Sequence, residues 1–454
     1  MTDKRYLVDV KQQYESFPYP PRDPADERKR LIVSVPASLI AVNHHCFGGR
    51  KDFRSGFRCL VAGGGTGDST IFLAEQLRDY DAELVYLDMS EASRQVAEAR
   101  ARVRNLTNIT WVTGSIMELP GLGLGEFDYI ECTGVLHHLE SAEDGLRALN
   151  AVLKEDGAIF LMLYGKYGRQ AVYEMQTLLR NYLPAGLLMH EKVQMARQLI
   201  ETLPKSNSFV RELDMWGPEI SEAGFGDAGL YDLLLHSQDR CFDVPGLYAL
   251  AGSAGLHLLS FGWRADDYDP LKHISDSAAR DYLATLDLPR RQALAEVMIG
   301  DMRMHEIFLA RQPDRGASLA DENLALRSYG MLLVNAAKLA AGMVPAPGAV
   351  AYCSDNHSKL TIPCTPVSKI VYAHMDGLTP VSTLRGRLYT ALPAISPEMI
   401  DRELEQIYQQ LHVCGCLYLV SAGSYGIAIP DYEKLLIRSR PGGLERGGHG
   451  ADAG

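Results

Sequence analysis

The sequence predicts an α/β fold, a doubly wound parallel sheet whose two faces are covered by helices. Short β-branched or apolar runs recur between residues 59 and 164, and they read CLVAGG, AELVYLD, ITWVT, FDYIECT and GAIFLMLY. Helix-like segments alternate with these runs at residues 69–79, 90–104 and 141–153. Because parallel neighbours need a crossover connection, strands that alternate with helices of this length indicate a sheet buried on both faces.

Length and composition are those of a folded chain with about two or three domains. The protein has 454 residues, 46% of them hydrophobic, with 45 Lys plus Arg against 57 Asp plus Glu. The formal charge of −12 argues against non-specific nucleic-acid binding, which depends on basic side chains. No apolar run is long enough to span a bilayer, and the opening MTDKRYLVDV contains two acids where an export signal would be apolar. We therefore expect a soluble cytoplasmic protein.

Changes in sequence texture divide the chain into predicted regions. Residues 53–165 hold the predicted sheet, and 229–266 contain a helix and a strand that would end it. The intervening 166–228 reads as a helical insertion, and such insertions often shape a binding site. The other regions are a Pro- and aromatic-rich segment at 1–52, a helical connector at 267–315, an α+β accessory domain at 316–440 and a disordered Gly-rich tail at 441–454.

The accessory domain has helices followed by a strand pair, which suggests a small winged-helix-like module. Its helix EMIDRELEQIYQQL is acidic, and this disfavours a recognition helix that faces phosphate. Protein contact, homodimer formation or structural support therefore fits the domain better than nucleic-acid binding.

The stretch CLVAGGGTGDSTIFLAEQL predicts a strand, a glycine-rich turn and a helix. Gly63, Gly65 and Gly67 allow positive φ and a close approach of a ligand to free backbone N–H groups. Asp68 stands where the dinucleotide fingerprint needs glycine, and its carboxylate would repel a pyrophosphate. The turn therefore predicts a nucleoside cofactor that lacks phosphate and ends in an amino acid.

A second signal is Asp88, which ends ELVYLD on the following predicted strand. It lies 88 − 67 = 21 residues beyond Gly67, where doubly wound nucleoside sites have an acid for the ribose hydroxyls. Ser90 suits the N-cap of the next helix. The turn and the acid together predict a ribose site, whereas a surface acid is the alternative for Asp88 taken singly.

With these residues the sequence resembles the class I S-adenosylmethionine-dependent methyltransferases, which implies a Rossmann-like sheet. VTGSIMELP is similar to the third-strand segment of that family, and FDYIECTGVLHHLESAEDGLRALNAVLKEDGAIFLMLYG to its fourth strand, next helix and fifth strand. The resemblance implies that Ser115 and Ile116 hold the adenine and that Cys132 and Thr133 line the cofactor, mostly through their backbone. The implied cofactor-binding residues are Tyr19, Ala62, Gly63, Gly65, Gly67, Asp68, Asp88, Met89, Ser115, Ile116, Cys132 and Thr133.

The resemblance covers residues 53–165 well and 229–263 loosely, and it includes two departures. The family commonly has an acid two residues before the first glycine, where this chain has Val61. It also has an acid in the third-strand segment, where this chain has Ser115. Asp68 is the candidate to replace the first acid as partner of the methionine ammonium.

Methyl transfer from a sulfonium depends mainly on alignment of the acceptor and exclusion of water. A base is needed only if the acceptor arrives protonated, and His137 is the candidate, with helix initiation or packing as the alternative. Tyr14, Phe17 and Tyr19 resemble aromatic lids that some members of the family fold over the cofactor. A hydrophobic clasp on the sheet is the alternative for these aromatic residues.

The remaining histidines and cysteines predict no metal site. The groups considered are Cys353, His357, Cys364, Cys414 and Cys416, and separately His44, His45 and Cys46. The first group matches no ligand spacing, and the second cannot point one way on a helix or strand. His236 and Asp239 border the insertion, so they either face the acceptor or serve in capping and packing.

The sequence therefore predicts an S-adenosylmethionine-dependent methyltransferase acting on a protein, a peptide or a small molecule. The layout of core, helical middle and small C-terminal domain loosely resembles bacterial protein-lysine methyltransferases with a regulatory domain. A non-catalytic partner protein is the alternative, motivated by Val61 and Ser115, and an NAD(P)-dependent oxidoreductase conflicts with Asp68. The expected partners are the methyl acceptor and a second copy of the chain, with no membrane and no nucleic acid.

Overall fold

The computed structural model describes residues 7–34, 36–262, 265–329, 336–346, 349–354, 359–423 and 436–438. The predicted tail at 441–454 lies outside these residues. The strands are β1 (Leu31–Val33), β2 (Ser55–Ala62), β3 (Asp81–Asp88), β4 (Ile109–Thr113), β5 (Phe127–Thr133), β6 (Leu153–Tyr164), β7 (His257–Phe261), β8 (Met304–Ala310), β9 (Leu324–Ser328), β10 (Val350–Ser354), β11 (Lys359–Pro363), β12 (Asp376–Pro380), β13 (Leu417–Ser421) and β14 (Leu436–Arg438).

Helices connect and cover these strands. They are α1 (Val8–Ser16), α2 (Leu39–Cys46), α3 (Asp68–Gln76), α4 (Glu91–Val103), α5 (Ala142–Asn150), α6 (Gln170–Tyr182), α7 (Met189–Thr202), α8 (Ser208–Arg211), α9 (Leu213–Ile220), α10 (Gly226–Leu230), α11 (Val244–Ser253), α12 (Ser277–Ala284), α13 (Leu288–Ile299), α14 (Ala336–Gly342), α15 (Pro366–Ala373), α16 (Val381–Ala391) and α17 (Pro397–Val413). Within the described ranges, no helix combines the length and the apolar character that crossing a bilayer requires.

The central sheet of the described chain has the strand order β4-β3-β2-β5-β6-β8-β7. The first five strands are parallel, and β8 is antiparallel to both β6 and β7. The chain runs outward from β2 to β4 and then returns to β5 on the other side of β2. Such a reversal opens a crevice at the carboxyl ends of the strands, where ligands bind in this class of sheet. The predicted Rossmann-like α/β core is confirmed.

The region 267–315 departs from the prediction of a helical connector. α12 and α13 are helical, but Gly300 takes φ +66° and ends α13. Met304–Ala310 then forms β8, which fills the sheet between β6 and β7. The prediction of a helix through residues 304–310 is wrong, because a strand that is buried on both faces loses the alternation that distinguishes strand from helix.

Two helices of the core begin at the residues that form the site. α3 starts at Asp68, directly after Gly67 with φ +101°. α4 starts after Ser90, whose side chain accepts the N–H of Ser93, so the predicted N-cap is confirmed. Both helix N-termini therefore lie at the carboxyl end of the sheet and direct backbone N–H groups toward the crevice.

The insertion is built from α6 to α10, which bury a hydrophobic cluster of their own around Val172, Phe209 and Trp216. A π-helical turn at Tyr231–Leu235 follows α10 and belongs to the same cluster. The short 3-10 turns of the described chain are Pro24–Arg28, Ile116–Gly121, Leu136–His138, Tyr167–Arg169, Ala265–Tyr268 and Pro270–Lys272. The insertion thus packs as a unit beside the carboxyl edge of the sheet.

The C-terminal region has a separate core beneath an antiparallel sheet of order β12-β9-β13. α17 packs onto it through Ile400, Leu404, Ile407, Tyr408 and Leu411, a spacing that places them on one helix face. β13 pairs with β9 from the start of the region, and residues 424–435 after it lie outside the described chain. The winged-helix-like module therefore stays a prediction.

Candidate functional site

A cavity of about 490 Å³ lies at the carboxyl ends of β2, β3 and β5. Its walls come from the core strands, the segment before β2, the insertion and the residues that lead into β8. Among the residues that the sequence predicts for the site, the wall contains Tyr19, Gly63, Gly65, Gly67, Asp68, Asp88, Met89, Ser115, Ile116 and Thr133, but not Ala62, Cys132 or His137. Ala62 and Cys132 are completely buried in the core.

The glycine turn packs tightly against its neighbours. Gly63 has φ +80°, and a Cβ there would lie 2.3 Å from a methyl carbon of Val135. A Cβ on Gly67 would lie 2.8 Å from the Cβ of Ala97 in α4. The N–H of Gly63 also donates to the carbonyl of Leu87 at 2.7 Å. The turn is thus pinned to β3, and only glycine leaves the backbone free to approach a ligand.

Asp88 supports this turn and lines the cavity. Its Oδ2 accepts the N–H of Gly65 at 2.8 Å, and its Oδ1 accepts the N–H of Ser90 at 2.8 Å. Burial raises the pKa of Asp88, while the backbone donors Ser90 and Gly65 oppose that rise. Because a carboxylate offers about four lone-pair sites, both oxygens retain capacity for the hydroxyls of a ribose.

Ser115 and Ile116 line the cavity on the side of β4. Ser115 caps the 3-10 turn that follows, since its Oγ accepts the N–H of Met117 at 3.2 Å. The N–H of Ser115 donates in return to the carboxylate of Glu118 at 3.0 Å. This capping box fixes the two residues at the cavity wall, and their contact with adenine stays a prediction.

Asp68 lines the cavity, but two arginines already engage it. Arg22 donates to it from Nε at 2.9 Å and from Nη2 at 2.6 Å, and Arg100 donates from Nη1 at 2.7 Å. Although burial opposes its charge, these arginines hold the pKa of Asp68 below its usual value. The charge of Asp68 is thus compensated within the protein, which disfavours its predicted role as partner of an ammonium.

The segment before β1 folds over the glycine turn. Thr66 donates its hydroxyl to the carbonyl of Pro20 at 2.6 Å, just beside the turn. The carboxylate of Glu15 accepts the N–H groups of Glu91 and Ala92 at 2.9 and 3.0 Å, in the first turn of α4. These bonds fasten the segment across the crevice at both the glycine turn and the end of β3.

The aromatic residues of this segment have different surroundings. Tyr14 and Tyr19 line the cavity, and the hydroxyl of Tyr19 donates to Glu219 of the insertion at 3.0 Å. Phe17 instead packs on Tyr231, with ring centroids 5.5 Å apart. The segment therefore closes the crevice with two tyrosines and holds the insertion with the phenylalanine.

His137 is completely buried behind the cavity wall and stacks on Tyr164 with ring centroids 3.8 Å apart. Burial lowers its pKa well below the usual value, and neither ring nitrogen has a hydrogen-bond partner. Burial behind the wall and a lowered pKa disfavour proton transfer to His137 from a ligand in the cavity. The role of His137 as the base stays a prediction, and its neighbour His138 is the histidine that reaches the wall.

Beyond Thr133 the cavity continues into a region that we call the distal chamber, whose wall includes Tyr164, Arg169, Trp216, Glu219 and Asp232. The Arg169 guanidinium lies 3.6 Å from the centre of the Tyr164 ring and 5.4 Å from that of Trp216. Among the described residues its Nε and Nη2 have no hydrogen-bond partner, although Nη2 forms an ion pair with Oδ2 of Asp239 at 3.9 Å. The chamber thus combines aromatic faces with a cation that has unused donors.

Two carboxylates of the distal chamber have no ion pair among the described residues. Asp232 accepts from the hydroxyl of Tyr14 at 2.9 Å and from Gln13 Nε2 at 3.3 Å, and Glu219 accepts from Tyr19. Burial, together with the nearby charge of Glu219, raises the pKa of Asp232 to about 7. Burial also raises the pKa of Glu219. Such carboxylates favour a ligand that supplies positive charge or a proton.

His236 and Asp239, predicted to face the acceptor or to pack, lie behind the cavity wall. His236 stacks on His138 with ring centroids 3.7 Å apart, and Asp239 accepts from Gln176 at 2.9 Å. Both residues therefore support the wall from behind.

Sequence reasoning missed Glu131, Arg169, Glu219 and Asp232. Arg169 and the two acids of the distal chamber come from helical segments whose placement no local pattern announces. Glu131 could have been recognised from the sequence, because it is an acid inside the apolar strand FDYIECT. A charge that is buried in such a strand requires a partner or a function.

Two groups of side chains in the described chain bring three metal-type ligands within 4.8 Å of one another: His44 with His45 and His412, and His138 with Asp232 and His236. In each group one histidine has its Nδ1 occupied by a backbone N–H, from Leu419 to His44 at 3.0 Å and from Gln238 to His236 at 3.1 Å. A neutral imidazole that accepts at Nδ1 carries its proton on Nε2, so that nitrogen has no lone pair for a metal.

Residues 60–159 match a family model described as a methyltransferase domain. This part of the chain is a class I S-adenosylmethionine-dependent methyltransferase domain. The methyltransferase domain carries the residues that fit its cofactor, S-adenosylmethionine: a close-packed glycine turn and a carboxylate with free lone pairs beside one cavity.

The fold extends beyond the methyltransferase domain. PKMT2 from Rickettsia typhi superposes on 86% of this chain with a TM-score of 0.60 and 15% identity, over 76% of its own chain. The structure of PKMT2 in complex with AdoHcy superposes with a TM-score of 0.59 and 16% identity, over 86% of this chain and 75% of that one. An uncharacterised protein of Synechococcus sp. is 30% identical over 266 residues, 56% of this chain and 60% of that protein.

A biosynthetic enzyme is also similar to the methyltransferase domain. The ubiquinone/menaquinone biosynthesis C-methyltransferase of Shewanella oneidensis is 28% identical over 114 residues, 25% of this chain and 45% of that enzyme. The chain thus spans about half the length of the curated relatives it matches.

Proposed function

We propose that the protein transfers the methyl group of S-adenosylmethionine to a nucleophile bound in the distal chamber. The observation that carries the proposal is that one cavity joins the glycine turn and Asp88 to this chamber. When bound, S-adenosylmethionine supplies a methyl group that its positively charged sulfur already activates. The protein's own task is then to align the acceptor, remove its proton and exclude water, and the closed segment above the turn serves the last of these.

The chamber favours an amine as the acceptor. Glu219 and Asp232 are buried carboxylates without an ion pair among the described residues, and a cationic amine would compensate their charge. Tyr164 and Trp216 add aromatic faces, which attract a cation by about 0.5–2 kcal/mol. Arg169 has unused donors at the same wall and would bind an oxygen of the same acceptor. A protein, a peptide and a small molecule can all present such a group.

An ammonium must lose its proton before it attacks, and Asp232 is the proposed acceptor of that proton. Its pKa of about 7 is in the range of an efficient base near neutral pH. His138 assists from the adjacent wall, because its Nδ1 faces the carbonyl of Gln238 at 2.8 Å and leaves the lone pair on Nε2. Tyr14 holds Asp232 in place through its hydroxyl.

The first prediction concerns Asp232→Asn. Loss of the base should lower kcat by about 10²- to 10⁴-fold on a protonated amine and abolish the rise of activity through about pH 7. Asp227→Asn, at an exposed carboxylate of the same insertion, is the control and should keep the wild-type rate. Steady-state kinetics across pH check this, and an unchanged pH profile in Asp232→Asn would remove the base from the mechanism.

The experiment for the function as a whole uses methyl-labelled S-adenosylmethionine and a cell extract separated into protein, RNA and small-molecule fractions. We expect label on nitrogen in the protein or small-molecule fraction. Label on carbon would instead favour the chemistry in the name of the C-methyltransferase relative, and label on oxygen would likewise overturn the amine acceptor. Binding of the donor without any transfer would favour the non-catalytic partner protein, and binding of NAD(P) in its place would favour an oxidoreductase. Homodimer formation and cytoplasmic location stay predictions from the sequence.

A further inference from the structure

The sheet places an acid beside the position where the first motif lacks one. Val61 and Glu131 are register partners in the parallel strands β2 and β5. Residues opposite each other in such a pair project from the same face of the sheet. Val61 stands two residues before the first glycine of the turn, so the carboxylate of Glu131 occupies the neighbouring site on the same face.

Glu131 is a buried carboxylate that lines the cavity. It is 1% exposed, and it accepts the hydroxyl of Ser69 at 3.1 Å and that of Thr133 from the end of its own strand. It has no ion pair within the described ranges. Ser69 belongs to the first turn of α3, directly after the glycine turn, so the carboxylate lies close to the N-terminus of that helix.

The other acids near the turn already have partners within the protein. Arg22 and Arg100 compensate Asp68, and Asp88 holds the backbone of the turn on the ribose side. Glu131 is therefore an acid on this part of the wall whose charge no described cation compensates. A buried carboxylate in that state favours a cationic ligand, since desolvation is otherwise uncompensated.

We propose that Glu131 binds the ammonium group at the amino-acid end of S-adenosylmethionine, in place of the acid that Val61 does not provide. The carboxylate accepts the ammonium while the hydroxyls of Ser69 and Thr133 hold it in orientation. This role rests on the proposed function only in that the chain binds this donor. Glu131 is a cofactor-positioning residue and takes no part in proton removal from the acceptor.

The test compares two ligands by titration calorimetry, S-adenosylhomocysteine and 5′-methylthioadenosine. The second has the same nucleoside but lacks the amino-acid end. Glu131→Gln should lower the affinity for S-adenosylhomocysteine by about 10- to 100-fold, because a charge-assisted hydrogen bond is lost. The affinity for 5′-methylthioadenosine should stay within about twofold of the wild-type value. Asp227→Asn, at an exposed carboxylate of the insertion that does not line the cavity, should leave both affinities unchanged.

The outcomes separate this role from the function itself. The role of Glu131 is overturned if Glu131→Gln binds S-adenosylhomocysteine with wild-type affinity, or if it loses affinity equally for both ligands. The proposed function stands in either case. Failure of the wild-type protein to bind either ligand overturns the donor site and the role of Glu131 together.

The wild-type protein offers a second measurement that needs no variant. Burial, to which Glu306 of β8 adds, raises the pKa of Glu131 to about 7. The other titratable neighbours, Tyr129, Cys59 and Cys132, have pKa values that burial raises above the usual ones. Affinity for S-adenosylhomocysteine should therefore rise from about pH 5.5 to about pH 7.5, and that for 5′-methylthioadenosine should not. Parallel pH curves for the two ligands overturn the proposal.

Discussion

Asp88 performs two tasks with one carboxylate. Its oxygens accept the N–H of Gly65 and the N–H of Ser90, which joins the glycine turn to the start of α4. Their remaining lone pairs face the cavity. At the scale of the residue, ligand binding and local structure are therefore not separable at this position, and a substitution should affect both.

Asp88→Asn should lower the affinity for S-adenosylhomocysteine by about 10- to 100-fold, because a neutral amide replaces a charged acceptor of the ribose hydroxyls. Stability should fall by about 1–2 kcal/mol, since the amide nitrogen cannot accept one of the two backbone N–H groups. Titration calorimetry and chemical unfolding measure the two effects. Asp81→Asn, at the exposed beginning of β3, is the control, and equal losses there would dismiss a specific role for Asp88.

The residues of the cavity wall that the sequence predicted share one property: a local sequence pattern is enough to identify them. Gly63 and Gly67 lie in a turn between strand and helix, and Asp88 ends the following strand. Asp68 lies at the cavity wall, but its partners Arg22 and Arg100 are far away in sequence, and they compensate its charge. The chemistry of an acid depends on its neighbours, and the fold brings those together.

Helix α4 is attached to the molecule by a buried arginine. Arg100 is 1% exposed, and it donates to Glu27 at 2.8 Å, to the carbonyl of Thr66 at 2.8 Å and to Asp68 at 2.7 Å. It therefore links α4 to the segment before β1, to the glycine turn and to α3. At the scale of elements, this contact fixes the N-terminus of α3 relative to the cavity.

Arg100→Ala should destabilise the protein by about 3–5 kcal/mol, because it leaves Glu27 and Asp68 as buried charges with one partner fewer. Arg102→Ala on the same helix is the control, since that side chain is 70% exposed and its pair with Glu98 is at the surface. Thermal unfolding of both variants gives the comparison. Similar melting temperatures for the two would contradict the anchoring role of Arg100.

Strand β8 shows why the sequence alone misassigned an element. Its neighbours β6 and β7 cover both of its edges, and Ile307, Phe308, Leu309 and Ala310 are all buried. A strand with two buried faces is apolar at successive positions, as a buried helix is. Pairing with partners distant in sequence, rather than local propensity, decided its structure.

Helix α2 joins the methyltransferase sheet to the C-terminal region. His45 stacks on Phe308 of β8 with ring centroids 4.6 Å apart, and His44 accepts the N–H of Leu419 in β13. His412 of α17 lies against His44, with centroids 4.4 Å apart. At the scale of the whole molecule, three histidines therefore occupy the contact between the two cores.

This junction should weaken in acid. Burial lowers the pKa of His412, and burial together with the neighbouring histidines lowers those of His44 and His45. Below the ordinary histidine pKa of about 6.5, the unfolded chain therefore binds more protons than the folded protein. The free energy of unfolding is then at its full value above that pH and falls below it. Tyr408, which also faces this cluster, has a raised pKa and stays neutral.

His412→Gln should reduce this acid sensitivity by about 1 kcal/mol, which corresponds to about 2 °C in melting temperature. The measurement is the difference in melting temperature between about pH 7.5 and about pH 5.5 for each protein. His257→Gln, at an exposed histidine of β7, should keep the wild-type difference. If His412→Gln showed the same difference in melting temperature as the wild-type protein, protonation of the junction would not cause the acid sensitivity.

The sequence by itself determined the α/β core, the glycine turn, the acid that ends the following strand and the class of cofactor. Each of these follows from local patterns along the chain, on which backbone sterics and the periodicity of strands and helices act. The tertiary structure alone decided the antiparallel strand in the sheet, the neutralisation of Asp68, the burial of His137 and the acids of the distal chamber. Those properties depend on which charges and surfaces meet across long stretches of chain, and only packing of the whole molecule sets that.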